Sequence, residues 1–162
     1  MNDETADTLA AALEREHHEI DAGIERFLIA QRAGEPQAEP LRQAIGALRR
    51  HIYLEEEFLF PPLSEAGLAV PIFVMLREHG EIWDTMDRAE EQLAQGSGGD
   101  PDTGLCLELL AQLERHNSKE EAIVYPRADA ALDLDTAAEL RSFVATGQMP
   151  AGWSCEQARR LT

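Results

Sequence analysis

The chain has 162 residues, a length that suits one domain with its own core. It carries 31 acidic and 14 basic residues, and its formal net charge is −17. Because phosphate backbones and anionic lipid surfaces both require clusters of Lys and Arg, this charge predicts that the protein binds neither nucleic acid nor a membrane.

The N-terminal residues and the cysteines predict a cytoplasmic protein. The first seven residues lack the basic stretch that begins a signal peptide. The longest uncharged apolar run, Ala66 to Leu76, has 11 residues and is too short to span a bilayer. Cys106 and Cys155 do not form a CxxC pair, so both are expected to be reduced thiols, Cys106 in the core and Cys155 in a polar tail.

Apolar residues recur every three or four positions, which predicts four long helices. The first helix should end at residues 34–36, and the second at Pro61-Pro62, because proline has no N–H to donate. The third should begin near Pro71. The fourth should begin after a loop that contains Asp100-Pro101, a plausible helix start, and should end at Pro126.

The inner stripes of two helices include His and Glu among the apolar residues. The second helix carries Leu41, Ile45, Leu48, His51, Glu55 and Phe58 on one face, and the fourth carries Leu109, Leu113, His116, Glu120 and Ile123.

Short connections between four helices predict an all-α fold, an antiparallel up-down-up-down four-helix bundle with a short C-terminal helix and tail. The pattern Thr136-x-x-Glu139 resembles a capping box for that short helix, which should run to about Phe143. The predicted organisation is therefore a bundle over residues 1–145 and a tail over 146–162.

One sequence pattern occurs twice. The first copy has Glu-His at 16–17, His-x-x-x-Glu-Glu at 51–56 and Phe-Pro at 60–61. The second has Glu-His at 78–79, the same His-x-x-x-Glu-Glu at 116–121 and Tyr-Pro at 125–126. Helices 1–2 and 3–4 therefore look like two related hairpins.

The pattern predicts buried metal ligands. Each hairpin histidine falls on the apolar stripe of its helix, and each glutamate four residues after a histidine shares its face. A buried carboxylate without a partner costs several kcal/mol, roughly, so these groups require cations in the cavity they face. The predicted ligands are His17, His51, Glu55, His79, His116 and Glu120.

Helix phase separates the neighbouring residues from the ligands. His18 lies about 100° away from the stripe and is expected at the surface or beside a ligand. Glu56, Glu57 and Glu121 are expected to be solvated or bonded to ligand imidazoles. By phase, Tyr53 and Tyr125 fall off the inner stripe and are not predicted as ligands. Trp83, four residues after His79, either walls the cavity or is an ordinary core aromatic.

The donor types indicate which metal is bound. Nitrogen and oxygen donors without thiolate favour two non-haem iron ions over manganese or zinc. Six protein ligands leave positions open for oxo or hydroxo bridges, O2, NO or peroxide.

These motifs resemble the hemerythrin-like, HHE cation-binding family over about residues 6–126. The resemblance implies a four-helix bundle around a di-iron centre, with the six predicted ligands and with Glu55 and Glu120 bridging the ions. Oxygen carriers of the family have HxxxH in the third helix, where this chain has His79 and Trp83, and HxxxxD in the fourth. This departure implies a role in stress response or sensing rather than reversible O2 storage.

Three functions follow as hypotheses. The first is a di-iron protein that binds or reacts with O2, NO or peroxide. The second is an iron-storage or iron-sensing module without turnover. The third is a helical bundle in which the histidines serve only packing and hydrogen bonding.

Overall fold

The computed structural model describes residues 8–96 and 103–160, and this part of the chain is helical with no strand. The all-α prediction is confirmed. The helices are α1 (Leu9–Arg32), α2 (Glu39–Leu54), α3 (Phe60–Leu63), α4 (Ala69–Ala94), α5 (Thr103–Lys119), α6 (Tyr125–Ala131), α7 (Leu134–Thr146) and α8 (Glu156–Arg160). Within the described residues, π-helical segments occupy Glu55–Leu59, Ser64–Leu68 and Glu120–Val124.

The long helices pack as pairs. α1 packs against α2 and α4 against α5, and further contacts join α1 to α5 and α2 to α4. The up-down-up-down order of these helices stays a prediction. The predicted start at Asp100-Pro101 lies outside the described residues.

Local capping explains where two of the helices begin. Thr8 caps α1, since its hydroxyl accepts a hydrogen bond from the backbone N–H of Ala11 at 3.1 Å. Asp133 caps α7 by accepting from the N–H of Thr136 at 2.7 Å. The predicted capping box at Thr136 is therefore wrong by one turn, and α7 extends past Phe143 to Thr146.

The aromatic-Pro pairs do not end their helices, contrary to prediction. Pro61-Pro62 and Pro126 lie in the first turn of α3 and α6, directly after a π-helical segment. A proline is tolerated there because its missing N–H is not needed in a first turn. The helical path therefore continues past both pairs.

The π-helical segments also change which side chains face the core. Each inserts an extra residue into the turn, so residues beyond it rotate relative to an ideal α-helix. Phe58 is only half-buried and Ile123 is 48% exposed, so their predicted places on the inner stripe are wrong. Leu59 and Val124, one position later, are fully buried instead.

The apolar core consists of two clusters with the polar residues between them. Along α1, Leu13 belongs to one cluster and Ile20 to the other, and His17 lies between the two. Along α4, Met75 and Ile82 flank His79 in the same way. The repeated histidines therefore lie at one level of the bundle.

The C-terminal segment packs onto this core. Cys155 is fully buried in the cluster that contains Ile82, and Met149 and Trp153 pack partly buried against it. The expectation that Cys155 lies in a polar tail is wrong, because Cys155 belongs to the core cluster and α8, which follows it, packs against α4. Cys106 is buried, as predicted.

One helical run, residues 39–94, contains a stretch that is long and apolar enough to cross a membrane by length and composition alone. This is weak support for a membrane span. The run is interrupted by π-helical segments and by a kink at Gly67, whose φ is 104°.

Candidate metal centre

The six predicted ligand residues converge inside the bundle, each at most 3% exposed. Their donor atoms form two groups, within each of which the atoms lie within 4.8 Å of one another. One group contains Glu55, His79, His116 and Glu120, and the other contains His17, His51 and Glu120.

The two carboxylates extend between the groups. Glu120 Oε2 lies 3.1 Å from His17 Nε2, and Oε1 of the same carboxylate lies 2.9 Å from His116 Nε2. Glu55 Oε1 lies 3.4 Å from Nε2 of both His51 and His79. Each carboxylate is therefore shared by imidazoles of both hairpins.

Within each hairpin, the glutamate that precedes the first histidine contacts the second histidine. Glu16 Oε1 lies 2.8 Å from His51 Nδ1, and Glu78 Oε1 lies 3.0 Å from His116 Nδ1. Neither glutamate was predicted to do this. The available signal was that a glutamate precedes the lone histidine in both copies of the repeat.

Between the hairpins, the second glutamate of each Glu-Glu pair contacts the opposite copy. Glu56 Oε2 lies 2.6 Å from His79 Nδ1, and Glu121 Oε1 lies 3.5 Å from His17 Nδ1. All four imidazoles thus have a carboxylate at Nδ1. In the neutral tautomer Nδ1–H donates outward, and the Nε2 lone pair faces the cavity, as metal binding requires.

Four polar atoms in this cavity make no hydrogen bond to any described residue, although their surface is buried: Glu55 Oε1, His79 Nε2, His116 Nε2 and Glu120 Oε1. The 2.9 Å contact between His116 and Glu120 lacks hydrogen-bond geometry. Buried polar atoms are almost always satisfied, so this group needs a partner that accepts lone pairs. A metal cation fits that requirement.

Within the polar cluster, Tyr125 is the residue that helix phase places wrongly. Tyr125 is fully buried. Its phenol oxygen contacts the carboxylates of Glu55 and Glu120 and the imidazoles of His17 and His51. Tyr125 faces the cluster because a π-helical segment begins at Glu120. In that segment the carbonyl of Glu120 accepts a hydrogen bond from the N–H of Tyr125, five residues later. This spacing places both side chains on one face.

Other residues lie where prediction placed them or resolve an open choice. His18 is exposed. Trp83 is buried in the core cluster that contains Ile82, which favours the core-aromatic alternative; its ring packs edge-on against Trp153 at 5.6 Å, and the Arg49 guanidinium lies 4.4 Å from the ring centroid. Tyr53 packs against Phe58 rather than the polar cluster.

Burial and mutual charge control the ionisation of the carboxylates. Burial and the neighbouring Glu120 raise the pKa of Glu55. Burial alone would raise the pKa of Glu120 as well, but His116, His17 and His79 hold it well below its usual range. At the edge of the cluster, hydrogen bonds from His116 and Lys119 lower the pKa of Glu78 to about 2.

The same carboxylates favour protonated imidazoles when no cation is bound. Burial opposes the charge on His17, but Glu120, Glu55 and Glu121 outweigh it and raise its pKa to about 9. The pKa of His79 is likewise raised well above its usual value, with burial opposed by Glu120, Glu55 and Glu56. Protons therefore compete with any cation for this cavity.

We expect the metal-free protein to lose stability as the pH rises from about 6.5 to about 9. His17 has a pKa of about 9 in the folded protein, whereas a solvent-exposed histidine has a pKa of 6.5. Protonation of His17 therefore makes its full contribution to the free energy of unfolding below pH 6.5, and this contribution disappears as the pH rises past 9. Urea unfolding of chelator-treated protein at several pH values measures the trend. A His17→Asn variant should show a smaller decline and a His18→Ala variant an unchanged one, whereas a flat profile for the native chain would contradict the expectation.

A family model, the hemerythrin HHE cation-binding domain, matches residues 7–128. No curated protein and no solved structure matches the chain. The matched region contains both copies of the repeat and the whole buried His/Glu cluster, and the two findings together point to metal binding. The chain belongs to the hemerythrin HHE cation-binding domain family.

Proposed function

We propose that this protein binds two non-haem iron ions through His17, His51, Glu55, His79, His116 and Glu120, and that it reacts with O2, NO or peroxide in stress response or sensing. The observation that supports this most directly is the set of four buried donor atoms that make no hydrogen bond to any described residue. Their chemistry, imidazole nitrogen and carboxylate oxygen without thiolate, favours iron.

The division of the donors into two groups supports a pair of ions. His79 and His116 would hold one ion, and His17 and His51 the other. Glu55 and Glu120 each extend between the groups, so both carboxylates are suited to bridge the ions.

The surrounding residues hold the donors in place. Arg50 donates to Glu16 at 3.0 Å, and Lys119 pairs with Glu78, so the carboxylates behind His51 and His116 are themselves fixed and neutralised. Such outer contacts orient the imidazoles and make them better donors. Bound iron would supply redox-active positions at which small molecules can react.

The first test is the metal content of protein purified without chelator, with an optical spectrum of the same sample. We expect two irons per chain in the native protein and fewer in a His79→Ala variant. His18→Ala is the matched control, because His18 is exposed one position from a proposed ligand. Well under one iron per chain after Fe(II) reconstitution would refute the proposal.

Stopped-flow mixing then separates reaction from storage or sensing. The optical spectrum of iron-loaded protein should change after rapid mixing with O2, NO or peroxide. With excess peroxide, each molecule of protein should consume more than one molecule of peroxide. A protein that changes stability with iron but shows no reaction would instead be an iron-storage or iron-sensing module.

A further inference from the structure

The two halves of the cluster differ at one position. The residue five after Glu55 is Phe60, and the residue five after Glu120 is Tyr125, each following a π-helical segment. Phe60 stacks against the imidazole of His79 with ring centroids 5.4 Å apart and an interplanar angle of 21°. Tyr125 stacks against His17 at 5.4 Å and 27°, but it also carries an oxygen into the polar cluster.

The phenol oxygen of Tyr125 lies close to four donor atoms. It is 2.9 Å from His17 Nε2, 3.0 Å from His51 Nε2, 2.9 Å from Glu55 Oε2 and 3.0 Å from Glu120 Oε2. Ligand atoms that share an octahedral ion at about 2.1 Å are neighbours about 3 Å apart. The phenol oxygen lies at hydrogen-bond distance from these atoms, and the same distances are the spacing that one more ligand atom would have.

A hydrogen-bond count supports the same interpretation. The Nδ1 atoms of His17 and His51 face Glu121 and Glu16, so in the neutral form that metal binding requires each ring presents an Nε2 lone pair to the phenol. The phenol O–H can donate only once among these two lone pairs and two carboxylate oxygens. Either a proton on an imidazole or a bound cation offsets this excess of acceptors, and metal binding exchanges the one for the other.

We propose that Tyr125 is a seventh protein ligand, a phenolate bound to the ion held by His17 and His51. The inference rests on the proposed di-iron function and deepens it. On binding, a metal–oxygen bond replaces the phenol O–H bond, and the proton leaves to solvent together with the other protons that metal binding releases. The ion near His79 faces Phe60 and receives no phenolate, so the two ions are inequivalent.

The test compares the two tyrosines of the chain after loading with iron in the ferric state. Phenolate bound to ferric iron gives a visible charge-transfer band and enhanced phenolate vibrations in resonance Raman spectra. We expect both signals in the native protein, their loss in Tyr125→Phe and their retention in Tyr53→Phe. Tyr53 is the matched control because its ring packs against Phe58, Phe143 and Trp153.

Iron content measured on each sample separates the two proposals. Native protein that holds two irons but shows no phenolate signal overturns the Tyr125 assignment alone, as does a signal that persists in Tyr125→Phe. Native protein without iron overturns the di-iron proposal and this inference with it. If Tyr125→Phe does not fold, ring-deuterated tyrosine in the Tyr53→Phe protein provides the test, because a shift of the vibrations can then come only from Tyr125.

Discussion

Replacing Glu120 with Gln should weaken the binding of both metal ions, whereas loss of a histidine should affect chiefly one. One oxygen of Glu120 lies 3.1 Å from His17 Nε2, and the other lies 2.9 Å from His116 Nε2, so this carboxylate belongs to both donor groups. The amide keeps the shape but removes the negative charge. We expect the affinity for each ion to fall by at least about 100-fold, since even outer contacts to ligands are typically worth 10–100-fold.

Anaerobic titration with Fe(II), followed by elemental analysis, measures this effect. Glu114→Gln is the matched control, because it makes the same chemical change at an exposed position on α5. The control should bind iron as the native protein does. Glu120→Gln protein that binds two irons with native affinity would show that Glu120 is not a shared ligand.

Helical periodicity was sufficient to predict which side chains converge in the buried His/Glu cluster, up to the π-helical segments. His17, His51, His79 and His116 lie on regular α-helices, where spacings of three and four residues place side chains on one face. Their convergence in the structure follows from that regularity. Glu55 and Glu120 begin the π-helical segments, so they were still in phase with the histidines.

Beyond these glutamates the same reasoning failed, for a physical reason. A π-helical turn contains one residue more than an α-helical turn, so it shifts the phase of the residues that follow. Local helix propensities do not predict where such a turn occurs. Phe58 and Ile123 were therefore expected inside, and Tyr125 was expected outside the cluster that it in fact enters. The repeated aromatic-Pro pairs were visible in the sequence, but they were interpreted as helix ends rather than as the first turns of new α-helical segments.

Side-chain contacts between helices also could not be predicted from the sequence. Glu16 and Glu78 reach the second histidine of their own hairpins, and this depends on the separation and rotation of neighbouring helices. The C-terminal segment has too few apolar residues to show a period. The C-terminal segment packs against α4 at Gly80, where the absence of a side chain leaves room for Gln157.

That close approach at Gly80 provides a test of the C-terminal segment. Ending the chain after Gln148 removes Trp153, Cys155 and α8 from the core, and we expect it to cost about 3–5 kcal/mol in the free energy of unfolding, on the scale of losing one large buried side chain. The segment also contacts the edge of the His/Glu cluster, because the N–H of Glu156 donates to Glu56 Oε1 at 2.8 Å and the other oxygen of Glu56 contacts His79. Denaturant unfolding of metal-free protein isolates the packing contribution.

Gly80→Ala should then change the sign of its effect between the two chains. A Cβ at Gly80 would lie 2.7 Å from Gln157 Cβ, so the substitution should destabilise the full-length chain by about 1–3 kcal/mol. In the shortened chain that clash is absent, and Ala should stabilise α4 by about 1 kcal/mol through helix propensity. Gly46→Ala is the matched control, since nothing lies within 4 Å of a Cβ there, and it should stabilise α2 in both chains. If Gly80→Ala instead stabilised the full-length chain as much as Gly46→Ala does, α8 would not lie against α4 in solution.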